Sequence, residues 1–177
     1  MVTYVAFLRG TNSGKNPMLK MDVLKKAFEK LGFQNVRTVI SSGNVIFETE
    51  RTDVRALERT IEKALPKAIG FESATIVYKL ADLQKLEKLN VFKDIEATRE
   101  TRQFVTFVKE APKSSPKLDG EGFTILKKSG RALLSVIELS GLRTPDMMKV
   151  LDQEFGRTNT TRTWKTIQRI LQKAGVS

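Results

Sequence analysis

Arg9-Gly10-Thr11-Asn12-Ser13-Gly14-Lys15-Asn16-Pro17 and Ser41-Ser42-Gly43-Asn44 are the two stretches whose residue types could do chemistry. Both are short, polar and glycine-bearing. Glycine lets main chain approach a ligand closely, and Ser, Thr and Asn supply short donors and acceptors, so the composition suits backbone-lined binding of a polar group. A third candidate lies far downstream, at Asn159-Thr160-Thr161-Arg162. The spacing there predicts a helix from about Arg162 to Ala174, which would put a guanidinium among free helix N–H groups that favour an anion. A cation is locally unfavourable at that end of a helix, so it needs an acidic partner or an anionic ligand. Plainer readings stand beside these: the two loops as ordinary turns, which Gly, Asn and Ser dominate, and Arg162 as a carboxylate's partner that holds the terminal helix down.

Two better-known motifs come close and fail. Gly10 to Asn16 is one residue short of the Walker phosphate-binding spacing and has Asn16 where a magnesium-binding Ser or Thr belongs. Pro17 and Met18 also delay the helix whose N-terminus would cradle a phosphate. Gln103 to Val108 resembles the end of an RNA-recognition strand, but it lacks the preceding basic-Gly-aromatic-Gly element. Phe104 and Phe107 fall on opposite faces of a strand, which favours core packing over base stacking.

Composition removes more hypotheses than any motif adds. The 177 residues include no Cys and no His, which excludes disulfides, the usual zinc sites, a cysteine nucleophile and a Ser-His-Asp triad. Carboxylate-bound magnesium is still allowed, and any acid or base would have to be Asp, Glu, Lys or Tyr. The net charge of +11 and pI near 9.9 favour acidic partners, namely nucleic acid, nucleotides or anionic surfaces, although a basic solubilising surface would give the same totals. The charge is uneven: Gly156 to Ser177 carries Arg157, Arg162, Lys165, Arg169 and Lys173 without one Asp or Glu, whereas Arg51 to Glu100 alternates signs. No apolar run is long enough to cross a bilayer, and the first residues enter a strand pattern without a signal-peptide arrangement, so a soluble cytoplasmic protein without membrane association is expected.

The elements that must position these residues follow from periodicity. Thr3 to Leu8 is apolar on both faces, which predicts a central strand. Met21, Leu24, Phe28 and Leu31 recur at helical spacing and Gly32 stops the helix. Gln34 to Ile40, with Val36, Thr38 and Ile40 alternating against Arg37 and Val39, pairs with Val45 to Phe47 as a hairpin. Thr52 and Asp53 are candidate caps for a helix carrying Val54, Leu57, Ile61 and Leu65, ending before Pro66 and Gly70, and Phe71 to Tyr78 is a strand. Beyond it come a helix over Leu80 to Leu89 with Leu83, Leu86 and Leu89 inward, and an irregular stretch at 90–102. A strand at Gln103 to Val108 and a loop from Ala111 to Gly122 follow. Next are a hairpin of Phe123 to Leu126 with Ala132 to Ile137, a helix opened by Thr144-Pro145 and stopped by Gly156, and the terminal helix with Trp164, Ile167, Leu171 and Ala174 inward.

The order β-α-β-β-α-β is the split pattern of ferredoxin-like units. The fold class expected is α+β: a ferredoxin-like unit at 1–79, then a second, smaller α+β unit at 80–177 that ends in a basic C-terminal helix. In the strand order 4-1-3-2 the end of strand 1 and the start of strand 3 share one edge, so Arg9 to Asn12 should lie beside Ser42 to Asn44. Gly43 should supply the positive φ of a short hairpin turn.

At these segments, and over nearly its whole length, the chain resembles the domain of unknown function 1697 family. The family pattern Leu-Arg-Gly-Ile-Asn-Val-Gly-Gly appears as Leu8-Arg9-Gly10-Thr11-Asn12-Ser13-Gly14-Lys15. Its Gly-Phe-x-Asn-Val-Arg-Thr appears as Gly32-Phe33-Gln34-Asn35-Val36-Arg37-Thr38, and its Ser-Gly-Asn-Val strand as Ser42-Gly43-Asn44-Val45-Ile46-Phe47. A late Thr-Thr-Arg-Asn-Trp becomes Thr160-Thr161-Arg162-Thr163-Trp164. Thr11, Ser13 and Lys15 depart from Ile, Val and Gly, and Thr163 from Asn. The resemblance implies an α+β fold with ferredoxin-like parts and a recurring polar constellation, but no reaction.

The function expected is binding of a phosphate-bearing ligand, a nucleotide or nucleic acid, in a polar pocket between the two units. Arg9, Gly10, Asn12, Ser42, Gly43, Asn44, Thr161 and Arg162 form the candidate site. One rival is a small enzyme acting on an anionic metabolite with Arg9 and Arg162 as electrostatic clamps, and another is a protein-interaction scaffold using the basic terminal helix. No cofactor, oligomeric state or catalytic residue is specified by the sequence.

Overall fold

A computed structural model describes residues 1–11, 13–113, 122–139 and 144–176, the side chains of 144–146 excepted. Most of the expected loop at 111–122 and one candidate site residue, Asn12, lie outside the described residues. The chain forms two compact units, Met1–Gln84 with Gln168–Ser177, and Lys85–Ile167.

The first unit contains β1 (Val2–Leu8), α1 (Met21–Lys30), β2 (Gln34–Val39), β3 (Asn44–Thr49), α2 (Val54–Ile69) and β4 (Thr75–Lys79). Its sheet has the order β2-β3-β1-β4 with every pairing antiparallel, which is the split βαβ topology. Alternation along β1 sends Tyr4, Ala6 and Leu8 into a core with Val45, Phe47 and Val77, closed by Leu24 and Phe28 of α1 and by Leu57, Ile61 and Leu65 of α2. Val5 and Phe7 point the other way and are fully buried as well, so the unbroken apolar run of β1 reflects burial on both faces.

Three local details differ from expectation. Ile40 leaves its strand, turning at φ +57 in the hairpin loop with 40% of its surface exposed. The pairing of β2 also slips between Gln34 and Arg37, a bulge beside Asn35 at φ +48. In addition, α2 does not end before Pro66 but runs on to Ile69, where Gly70 closes it at φ +86 by donating its N–H to Pro66 O at 3.0 Å. Proline removes only one backbone bond in a last turn, and the extra turn lets Ile69 pack on the core. The same helix guards the sheet edge: Glu58 and Glu62 accept the outward N–H groups of Val77 at 2.9 Å and Thr75 at 2.8 Å on edge strand β4.

The remaining elements are α3 (Leu80–Lys88), β5 (Thr101–Phe107), β6 (Phe123–Ser129), β7 (Ala132–Glu138), α4 (Thr144–Phe155), β8 (Thr160–Thr163) and α5 (Trp164–Ala174). The second sheet has the order β6-β7-β5-β8, which repeats the strand order of the first although the sequence shows no convincing repeat. Its core joins Phe104, Phe123 and Ile137 to Met147 and Leu151 of α4. Phe104 and Phe107 are both buried, as core residues rather than a stacking platform. Leu89, expected to point inward, lies beyond the end of α3 and is 43% exposed. The larger correction is β8, where Thr160 to Thr163 pair with Phe107 to Phe104 instead of opening a helix.

Candidate functional site

At one end of the first sheet, β1 runs out into the loop that begins at Arg9, and the β2–β3 hairpin turns through residues 40–43 beside it. Leu8 donates its N–H to Gly43 O at 2.9 Å, so the two glycine-bearing loops share an edge, as the topology requires. Gly43 has φ +71, and a Cβ there would stand 2.6 Å from Thr11 Cγ2 and 3.0 Å from Leu8 Cβ. The glycine is therefore needed twice, for its backbone conformation and for the close approach of the neighbouring loop. Thr11 is buried at this contact.

Asn44 is fully buried. Its amide donates to Val39 O at 3.0 Å and to Ser42 Oγ at 2.8 Å, so both amide hydrogens are used in bracing the hairpin. Ser42 in turn donates its N–H to Ile40 O at 2.8 Å. Gly43, Asn44 and Ser42 thus hold the turn in shape, with Ile40 and Ser41 exposed at its tip, and the exposed cationic side chain lies in the other loop.

That loop is fixed at its base. Arg9 donates its N–H to Ala74 O at 2.9 Å and accepts at its carbonyl from Ser73 Oγ at 2.7 Å. Asn16 closes it by donating from Nδ2 to Gly10 O at 2.9 Å, with Gly10 at φ +77 and Gly14 at φ +69. The Lys15 N–H reaches Ser13 Oγ at 3.3 Å. Between these ties Ser13, Gly14 and Lys15 are exposed and Arg9 is half-buried. The chain from Arg9 to Lys20 carries Arg9, Lys15 and Lys20 and no acid. Because α1 starts only at Met21, the loop does not run straight into a helix N-terminus as a Walker loop would. Sequence reasoning missed two residues here. Ser73 sits 64 positions from the carbonyl it binds, with no signal in the sequence, while Asn16, ahead of a proline in a polar stretch, carries a weak turn signal.

In the second unit Thr161 and Arg162 are neighbours on β8. Arg162 is not at a helix terminus, since α5 begins at Trp164, and the argument from free helix N–H groups does not apply to it. Thr163 caps the helix, its Oγ1 accepting from Thr166 N–H at 3.3 Å. Arg162 donates from Nη1 to Thr160 Oγ1 at 2.7 Å, two residues back on the same strand face, and to Thr161 O at 3.0 Å. Burial pushes its guanidinium down to about 10, because desolvation penalises the charged form. Thr161 Oγ1 lies 2.9 Å from Thr106 Oγ1 across the ladder. Trp164 packs its ring 5.2 Å from that of Phe92 and is a core anchor.

The second unit also holds an open cleft of about 370 Å³ between the segment after β5, with Lys109, Glu110 and Lys113, and the end of α4, with Glu154. Two lysines are matched there by two glutamates, so the lining prefers neither sign of charge. Among the described residues no group of three or more Asp or Glu is placed to hold a metal ion, and no helix is long and apolar enough to cross a membrane.

Residues 1–120 match the family described as "Protein of unknown function (DUF1697)". Among solved structures the chain is similar to a conserved bacterial protein, SP0830, from Streptococcus pneumoniae. The identity is 20%, 97% of each chain is covered and the TM-score is 0.69, a likeness of fold. No curated protein matches the chain.

Proposed function

This chain belongs to the DUF1697 family, whose description names no activity, and we propose that it binds a phosphate-bearing ligand, a nucleotide or nucleic acid, at the Arg9–Asn16 loop. The observation that carries the reading is the loop's construction. Its base is stapled by Asn16 Nδ2 on Gly10 O, its tip exposes Ser13, Gly14 and Lys15, and its charges are all positive. A loop ordered before the ligand arrives loses less conformational freedom on binding, and short hydroxyls with a lysine are suited to phosphate oxygens. Ser42, Gly43 and Asn44 support the site by holding the neighbouring turn. Arg162, in the second unit, is a candidate by itself, a cation whose desolvated charge an anion would stabilise.

A thermal-shift panel of nucleotides, phosphorylated metabolites and oligonucleotides at fixed salt tests this. A ligand present at about 100 times its dissociation constant stabilises by about 2.7 kcal/mol, and the shift should shrink in Lys15→Gln and Arg9→Gln with the apo melting temperature nearly unchanged. The same panel on Arg162→Gln tests that residue separately. A panel without any shift, or a shift equal in wild type and the Arg9→Gln/Lys15→Gln double variant, removes the proposal.

A further inference from the structure

Helix α5 turns one face of uniform chemistry to solvent: Lys165, Gln168, Arg169, Gln172 and Lys173 are all exposed. Steps of three and four residues put them on a single stripe. The opposite face, Trp164, Ile167, Ile170 and Leu171, is buried, which fixes the side the stripe presents. At the helix's C-terminal end Arg37 donates from Nη1 to Lys173 O at 2.9 Å, adding a fourth cation there, and Gln84 Nε2 binds Val176 O at 3.2 Å. No Asp or Glu occurs from Gly156 to Ser177. Lys165, Arg169 and Lys173 form no ion pair among the described residues. Solubility alone is served by interspersed signs, as on α1, where Lys25 faces Glu29 at 3.7 Å.

We propose that this stripe binds the sugar-phosphate backbone of nucleic acid, as a surface separate from the Arg9–Asn16 loop. Lys, Arg and Gln are side chains that contact phosphate oxygens, and backbone contacts need no base recognition. A helical rise of 1.5 Å per residue spaces Lys165, Arg169 and Lys173 by about 6 Å, about 12 Å in all. That length covers roughly three to four nucleotides of one strand at about 3.4 Å each. The other anionic surface a basic amphipathic helix can meet is a membrane. A helix lying in a membrane interface buries its apolar face in lipid, however, and here that face is already buried in protein, which favours nucleic acid.

Fluorescence anisotropy with labelled oligonucleotides of about 20 nucleotides, single-stranded and duplex, from about 50 to 200 mM KCl, tests this on the full chain. Each phosphate contact contributes about 0.7 (single strand) to 0.9 (duplex) to the slope of log K against log salt. The Lys165→Gln/Arg169→Gln/Lys173→Gln variant should therefore lose about 2 to 3 from that slope, and Arg169→Gln alone about 0.7 to 0.9. Both should keep the wild-type melting temperature, since these side chains are exposed. Arg9→Gln/Lys15→Gln should keep the part of the slope due to α5, so failure of the loop reading and failure of this one are separable. Three outcomes overturn the inference: no oligonucleotide binding by wild type at low salt, an unchanged slope in the triple variant, or tighter binding of phosphatidylserine vesicles or polyglutamate than of either oligonucleotide.

Discussion

Gly43 shows how a residue can look like part of a binding site while its first duty is steric. Its φ of +71 and the 2.6 Å that would separate an added Cβ from Thr11 Cγ2 are independent penalties. Gly43→Ala should accordingly cost roughly 2 to 4 kcal/mol, more than the 1 kcal/mol or so of an ordinary left-handed position. Thr11→Ser removes the colliding methyl group and keeps the hydroxyl. The double variant should recover part of the loss but not all, because the φ penalty stays. Urea denaturation of the two single variants and the double variant measures this coupling, and strict additivity would mean that the loops do not press on each other at this point. Asn44 follows the same logic, since an amide with both hydrogens committed to Val39 and Ser42 has no donor left for a ligand.

At the scale of elements, the short strand β8 changes what the Thr160-Thr161-Arg162-Thr163-Trp164 motif means. It joins an edge strand to a helix start, with Thr163 at the hinge as cap of α5. Asn and Thr are both good N-cap residues, so Thr163 fills the capping position of α5 as an Asn there would. Thr163→Asn should leave stability within a few tenths of a kcal/mol of wild type, while Thr163→Ala should lower it by about 1 kcal/mol. Thermal melts of the two variants compare them, and equal losses in both would show that the side-chain oxygen is not acting as a cap. The clustered β-branched Thr158, Thr160, Thr161 and Thr163 are the signal that could have found β8. Four residues are too few for a periodicity argument, and the partner strand β5 lies more than fifty positions away.

For the whole molecule, the last residues of the chain belong to the first compact unit, which groups Gln168–Ser177 with Met1–Gln84. Within that unit Arg37 binds Lys173 O and Gln84 binds Val176 O, and Ile170 and Leu171 are fully buried. Leu171→Ala should destabilise by about 2 to 4 kcal/mol, as buried leucine truncations do. Hydrogen exchange should show the lost protection in Met1–Gln84, β2 included, although the substitution is far from those residues in sequence. Loss confined to residues 85–167 would contradict this grouping.

The sequence by itself determined the first unit's topology and its strand order, because apolar residues at periods of two and 3.6, punctuated by Gly32, Gly43 and Gly70, leave few ways to bury one face of each element. It also determined that Arg9–Asn16 and the turn at Gly43 meet, since strand order fixes which loops share an edge. Only the tertiary structure decided that Thr160–Thr163 is a strand, that α2 passes through Pro66, and that Asn16 and Ser73 hold the Arg9 loop while Asn44 serves its own hairpin. These depend on long-range pairing, on burial that offsets a local propensity, and on which hydrogen-bond partner a polar side chain meets. Local pattern carries no record of those contacts, because the residues that make them are brought together only when the chain folds.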